Sequence, residues 1–189
     1  AFYSGLNPLL SATRDSWHGR SEAVTMLLTN GAQTQVADRD GNSPLHFAMR
    51  STDPAVAALL LDAGAEKEAI NKEGFTPLAL ACQAANWRLA RYMLERKASV
   101  EPLLAVPVLI AAAGAEDDEI GIRLLHKYKA KIDVRDNQQR TPLMIAAQAG
   151  LIEVVKVLLE LGAQINAQDE AGLTAYMLAA QSGEVAIVN

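Results

Sequence analysis

The phrase RTPLMIAAQAG at residues 140–150 does not stand alone. It returns as SPLHFAMRST from Ser43, TPLALACQAA from Thr76 and TAYMLAAQSG from Thr174. Ser43 to Thr76 and Thr141 to Thr174 are each 33 residues, as are Asp136 to Asp169 and Gly150 to Gly183. A period of this size constrains the fold more than any other feature of the chain. It marks a stacked array in which each supersecondary unit buries its apolar faces only against its neighbours.

Each residue of the phrase has a physical task. Ser or Thr accepts a hydrogen bond from the first free N–H groups of a helix, and Pro at the next position has its φ preset and no N–H to leave unpaired. Adjacent alanines, Ala146-Ala147 and Ala179-Ala180, let a neighbouring helix approach closely. After the glycine, LIEVVKVLLELGA repeats its apolar residues at helical spacing and ends at Gly162, a residue suited to a left-handed helix terminus. Between units, stretches such as QINAQDEAGLT carry Asp169 and Gly172 as turn residues of a protruding hairpin. The predicted unit is helix, loop, helix, turn.

With these residues in place, the sequence resembles the ankyrin repeat proteins, whose pattern runs D-x-x-G-x-T-P-L-H-x-A-A, then G, a Val/Leu-rich helix and G-A. The resemblance implies an all-α solenoid of helix-turn-helix repeats joined by short β-hairpin loops. It is expected to be one array over residues 1–189, with approximate repeats 1–37, 38–70, 71–100, 101–135, 136–168 and an incomplete 169–189. The chain is expected to be an excised piece of a longer protein, since it starts without Met and stops within a helical pattern.

Two units depart from the pattern. In the first, Asn7 replaces the capping Thr, and three extra residues fall within RDSWHGRSE; these form either an inter-helix loop insertion or a contact loop bearing Trp17 and His18. In the fourth, Val106 takes the capping position and the hairpin has lost about three residues along with its Asp and Gly. Lys97 and Lys129 stand where Gly31, Gly64 and Gly162 end their helices, which places lysine in left-handed backbone. Leu103 and Leu104 occupy the shortened hairpin and either pack onto a neighbour or form an exposed apolar patch. The irregularity is expected to bend the array or loosen it near residues 97–131.

Composition narrows the function. The chain has 189 residues, 50% of them hydrophobic, enough to build a packed fold. Its formal charge of -5 and lack of a clustered basic surface argue against nucleic acid as a partner. One cysteine, Cys82, excludes an internal disulfide framework and points to a reducing, cytoplasmic setting; delivery into a host cell is also compatible. No apolar stretch is long enough for a membrane span, so no membrane insertion is expected. There is no glycine-rich phosphate loop, HExxH, CxxC or G-x-S-x-G, and neither catalysis nor a cofactor or metal is expected. The resemblance assigns His46 to tying the backbone of neighbouring repeats together. Cys82 falls at an alanine position that faces the core, and the acidic run Glu116 to Glu119 sits at a helix start where it complements the dipole. Trp17, Trp87, Tyr92 and Phe75 are too dispersed to form an aromatic cage.

The resemblance implies a concave face, lined by hairpin tips and inner helices, that binds a protein partner. The tips are expected to expose Arg39, Asp40, Asn42, Lys72, Glu73, Phe75, Asn137, Gln138, Arg140, Glu170 and Leu173. The inner helices would add Arg50, Ser51, Gln83, Ala84, Ala113, Gly114, Gln148, Ala149, Gln181 and Ser182. Arg50, Phe75 and Arg140 are the expected hot spots, because aromatic and arginine residues dominate interface energies. Gln83, Gln148, Leu103 and Leu104 complete the candidate set. The expected function is a non-catalytic protein-binding scaffold, acting as a monomer on a partner of unknown identity. The alternative is a targeting arm of a multidomain enzyme or secreted effector whose catalytic part lies outside residues 1–189.

Overall fold

The four strongest copies of the phrase fold alike. Ser43, Thr76, Thr141 and Thr174 take extended backbone, and each side-chain oxygen accepts the N–H three residues on. Pro44, Pro77 and Pro142 follow as the first helical residues. In the first unit Asn7 replaces the hydroxyl with its amide oxygen, which accepts from Leu10 N–H at 2.9 Å.

The computed structural model describes residues 7–14 and 21–188. Helices come in pairs. The inner member of each pair follows the capping residue, and the outer member follows the loop: α1 Pro8–Arg14 with α2 Ser21–Thr29, α3 Pro44–Ala48 with α4 Ala55–Asp62, α5 Pro77–Gln83 with α6 Trp87–Glu95, α7 Val108–Ala113 with α8 Ile120–Lys127, α9 Pro142–Gln148 with α10 Ile152–Glu160, and α11 Ala175–Gln181 with α12 Val185–Val188. The chain divides into two compact units, Ala1–Ser99 and Val100–Asn189. In the first, α1, α3 and α5 stack as an inner row and α2 packs on α4. In the second, α7, α9 and α11 stack while α8, α10 and α12 form the outer row.

Small residues set the spacing of the inner rows. Ala79, Ala81 and Cys82 on α5 and Ala146 and Ala147 on α9 are all buried to within 1%. Leucines fill what remains: Leu45, Leu60, Leu78 and Leu89 in the first unit, Leu109, Leu125, Leu143 and Leu158 in the second. Each such burial stabilises by about 2 kcal/mol. Gly114 illustrates the tolerance, since a Cβ there would sit 3.1 Å from Ile145 Cγ2.

Outer helices end as the sequence predicts. Gly31, Gly64 and Gly162 have φ of 85°, 86° and 92°, and Lys97 and Lys129 occupy the same left-handed position at 62° and 69°. The hydrogen bonds match too: Ala32 N–H reaches back to Leu27 and Ala98 N–H to Met93, each at 3.0 Å. Lysine therefore closes the helix in the glycine manner and carries the steric cost.

The hairpin loops contain no strand among the described residues. They are tight turns held by an Asx side chain: Asp136 Oδ1 accepts from Gln138 and Arg140 N–H, and Asp169 and Asn71 do the same in their own loops. The fourth unit lacks this residue, and Val106 offers no side-chain acceptor. Its inner helix accordingly starts one residue late, at Val108, with Pro107 at the cap and no side-chain bond.

Candidate functional site

In the first unit the candidate residues follow α3, close α5 and lie in the loop that precedes α5. Arg50 follows α3, exposed, with its guanidinium 5.8 Å from the Phe47 ring centroid. Gln83 and Ala84 close α5 and are exposed. Phe75 is half-buried at its tip, where its N–H donates to Asn71 Oδ1 at 2.9 Å. Its carbonyl accepts the Nε2–H of His46, also at 2.9 Å. His46 Nδ1 in turn accepts from Ser43 N–H at 3.1 Å, which fixes the proton on Nε2. His46 thus joins one inner helix to the next loop. Burial holds its pKa below the ordinary histidine value, outweighing the raising effects of the Phe75 carbonyl and the Asp38 charge.

In the second unit, Gln148 and Ala149 at the end of α9 and Gln181 and Ser182 at the end of α11 are exposed. Arg140 is only half exposed, for its Nε pairs with Asp136 Oδ2 at 2.9 Å while its own N–H bonds the other carboxylate oxygen. The guanidinium is partly committed to its own turn.

The expected surface needs correction at several positions. Ser51 is 4% exposed: its carbonyl accepts from Asn86 Nδ2 and its hydroxyl from Asp53 N–H. Ala113 is fully buried in the α7 core, one residue before exposed Gly114. Asn42 and Leu173 are half-buried, like Phe75, because each sits where the turn folds back onto its Asx residue. Leu103 and Leu104 do not pack onto a neighbour; they are 88% and 99% exposed. Trp17 and His18 lie outside the described residues.

Two links between repeats go beyond the sequence expectations, one at Asn86 and one at Asp117, which was expected only to complement the dipole of its own helix. Asn86 caps α6 through Leu89 N–H, and its Nδ2 donates to the carbonyls of Met49 and Ser51, both at 2.9 Å. Asp117, from the acidic run, accepts Glu153 N–H at 2.7 Å and so caps α10 of the following repeat. Asp118 caps its own helix through Ile120 N–H. The run therefore serves two helix starts, one of them 36 residues away.

Cys82 is fully buried in α5, and desolvation pushes its thiol pKa far above the ordinary range, leaving an inert apolar filler. No group of three or more His, Cys, Asp or Glu among the described residues could hold a metal ion. No helix among them is long and apolar enough to cross a membrane.

Comparison with known proteins places this architecture. A family model described as ankyrin repeats (3 copies) matches residues 9–103 and 105–169. Among solved structures, the chain is similar to the ankyrin repeat domain of Bcl-3, described as a unique member of the IkappaB protein family. The TM-score is 0.78 and the identity 25%, and the match covers 98% of this chain and 82% of that one. No curated protein matches the sequence significantly.

Proposed function

This chain belongs to the ankyrin repeat family, and from that premise we propose that it is a non-catalytic protein-binding module using the face of hairpin tips and inner helices. Ankyrin repeats generally mediate protein–protein interaction, and the six helix pairs support the partition at 1–37, 38–70, 71–100, 101–135, 136–168 and 169–189. The observation that carries the reading is the contrast along α3, α5 and α9. Their bodies are largely buried while Arg50 just after α3, Gln83 at the end of α5 and Gln148 at the end of α9 stand exposed at equivalent repeat positions. Fixed helices present these side chains, so binding orders little of the chain and costs correspondingly little entropy.

Within that face Arg50 is the leading anchor, being exposed and stacked on Phe47. In the first unit Phe75 acts as a half-buried contact and Gln83 supplies an exposed amide; in the second, Arg140 is the half-buried contact and Gln148 the exposed amide. Leu103 and Leu104 form a separate apolar element of the second unit. The partner is a cytoplasmic protein met by a monomer of this chain.

The test is affinity capture from a lysate of the source cell, comparing the wild type with Arg50→Glu, Phe75→Glu and Arg140→Glu combined, after circular dichroism shows that both fold. A protein captured only by the wild type supports the assignment. Equal capture by both overturns the choice of face.

A further inference from the structure

We infer that the outer face of α11, with the loop 162–168, is an assembly surface that receives one further helix pair of the same repeat type, carried on the same polypeptide. The inference is independent of where a partner protein binds.

The burial pattern of the repeat is the first observation. Counted from the repeat position of Asn7, Ser43, Thr76, Val106, Thr141 and Thr174, the second, third and sixth residues are 2% exposed or less in each of the first five repeats. On α9 they are Leu143, Met144 and Ala147, and α11 packs on that helix. In the sixth repeat they are Tyr176 and Met177, 57% and 45% exposed, and Ala180, also exposed. Ile165 repeats the contrast in the loop: it is 57% exposed, while Ile132, 33 residues before it, is half-buried. An array that ends in water carries polar side chains on its outer face. Tyr176, Met177 and Ile165 are instead the side chains of an interior repeat.

A hydrogen-bonding group says what covers them. The fourth residue after the left-handed end of α4, α6 and α8 reaches forward to the next repeat: Glu68 accepts Ser99 N–H at 2.8 Å, and Glu101 and Asp133 accept Lys131 and Gln164 N–H, both at 3.0 Å. Each donor lies two residues past the next left-handed terminus, at Lys97, Lys129 and Gly162. Asn166 holds the forward-reaching position in the sixth repeat, and its exposed side chain makes no hydrogen bond among the described residues. The open apolar positions and the open acceptor thus stand in the relation they have at the joints already formed. Their occupant has the same form: an inner helix laid on Tyr176, Met177 and Ala180, and an outer helix whose terminal N–H meets Asn166 Oδ1.

Charge and linkage select its source. Residues 100–189 carry seven basic and twelve acidic side chains, so two copies meeting through this unit repel each other. A repeat on the same polypeptide is held beside the face at high effective concentration, with no separate association cost.

The experiment reads the source transcript past the codon of Asn189, expresses the longer chain through its next repeat, and compares its amide exchange with that of residues 1–189. The expected reading frame places a Ser- or Thr-capped apolar helix one period, about 33 residues, after Thr174. In the longer chain, exchange at Leu178, Ala179 and Ala180 is expected to slow about tenfold or more. Tyr176→Gln/Met177→Gln should remove that slowing, yet leave the melting temperature of residues 1–189 within about 2 °C of wild type. A transcript that stops, or continues without the period, overturns the inference, as does unchanged exchange in the longer chain. Slowing that survives Tyr176→Gln/Met177→Gln rejects this face as the joint. A large fall in the melting temperature of residues 1–189 places the two side chains in the core already formed, which overturns it as well. Dimerisation of residues 1–189 in sedimentation velocity, abolished by the same variant, assigns the face to a second copy and overturns it too.

Discussion

The left-handed helix ends give the sharpest quantitative prediction, because the structure isolates backbone strain from packing. Gly162 has φ of 92°, and a Cβ built there meets nothing within 4 Å. Gly162→Ala therefore adds only the cost of a left-handed L-residue, about 1 kcal/mol. Gly41 has a similar φ of 79°, but its Cβ would stand 3.2 Å from both Asn71 Cα and Lys72 N in the next hairpin. That neighbour is backbone bonded to Asp40, so it yields poorly, and Gly41→Ala should cost about 2 kcal/mol or more. The reverse change, Lys129→Gly at φ of 69°, removes strain but loosens the unfolded chain, for a net gain of about 0.5 kcal/mol. Urea unfolding followed by circular dichroism reads all three as midpoint shifts at constant slope. The reasoning is refuted if Gly162→Ala and Gly41→Ala cost the same, or if Lys129→Gly destabilises.

Further predictions follow from the hydrogen-bonded links and the irregular loop. His46 is held neutral with its folded pKa below the unfolded value, so the unfolded chain takes up a proton first as pH falls below about 6.5 and stability drops until the folded pKa is reached; urea midpoints at pH 7 and pH 5 should converge in His46→Gln, which is less stable at pH 7 but less pH-dependent. Asn86→Ala removes a cap and leaves the Met49 and Ser51 carbonyls unmet, costing about 2 kcal/mol, while Asp117→Ala costs about 1 kcal/mol through α10; Asp117→Asn, which keeps the acceptor oxygen, should recover most of the latter in thermal melts. Amide exchange should be fast at Leu103, Leu104 and Ala105 and slow at Ala111 to Ala113; uniform protection through residues 97–131 would show that the fourth repeat has no weak point.

How far the sequence reveals this protein depends on the range of the interaction. Features set within one turn are legible: the capping of Ser43, Thr76, Thr141 and Thr174, the left-handed Lys97 and Lys129, and the buried Cys82 all follow from spacing alone. Left-handed Gln139 and Ala85 also stand at glycine positions, matching Gly172 and Gly183, and a closer reading of the period would have found them. Links across repeats are another matter. Asn86 and Asp117 look like ordinary surface polar residues until the fold brings partners 35 to 37 residues away within reach. The same holds for the candidate site. Exposure of Arg50, Gln83 and Gln148 follows from helix periodicity, whereas the pairing of Arg140 with Asp136 and the burial of Ser51 depend on side-chain partners the pattern does not specify. Leu103 and Leu104 were ambiguous because their loop has lost the Asp and Gly that fix the other turns.

The central claim is that the tips and inner-helix ends, rather than the outer helices, carry binding. The most direct measurement titrates a captured partner calorimetrically into wild type, Arg50→Glu/Phe75→Glu, and the outer-helix control Arg91→Glu/Glu153→Lys, whose side chains are exposed on α6 and α10. The account predicts a loss of about tenfold or more in affinity for the first variant and wild-type affinity for the control. Full affinity in the first variant together with a loss in the control would contradict it.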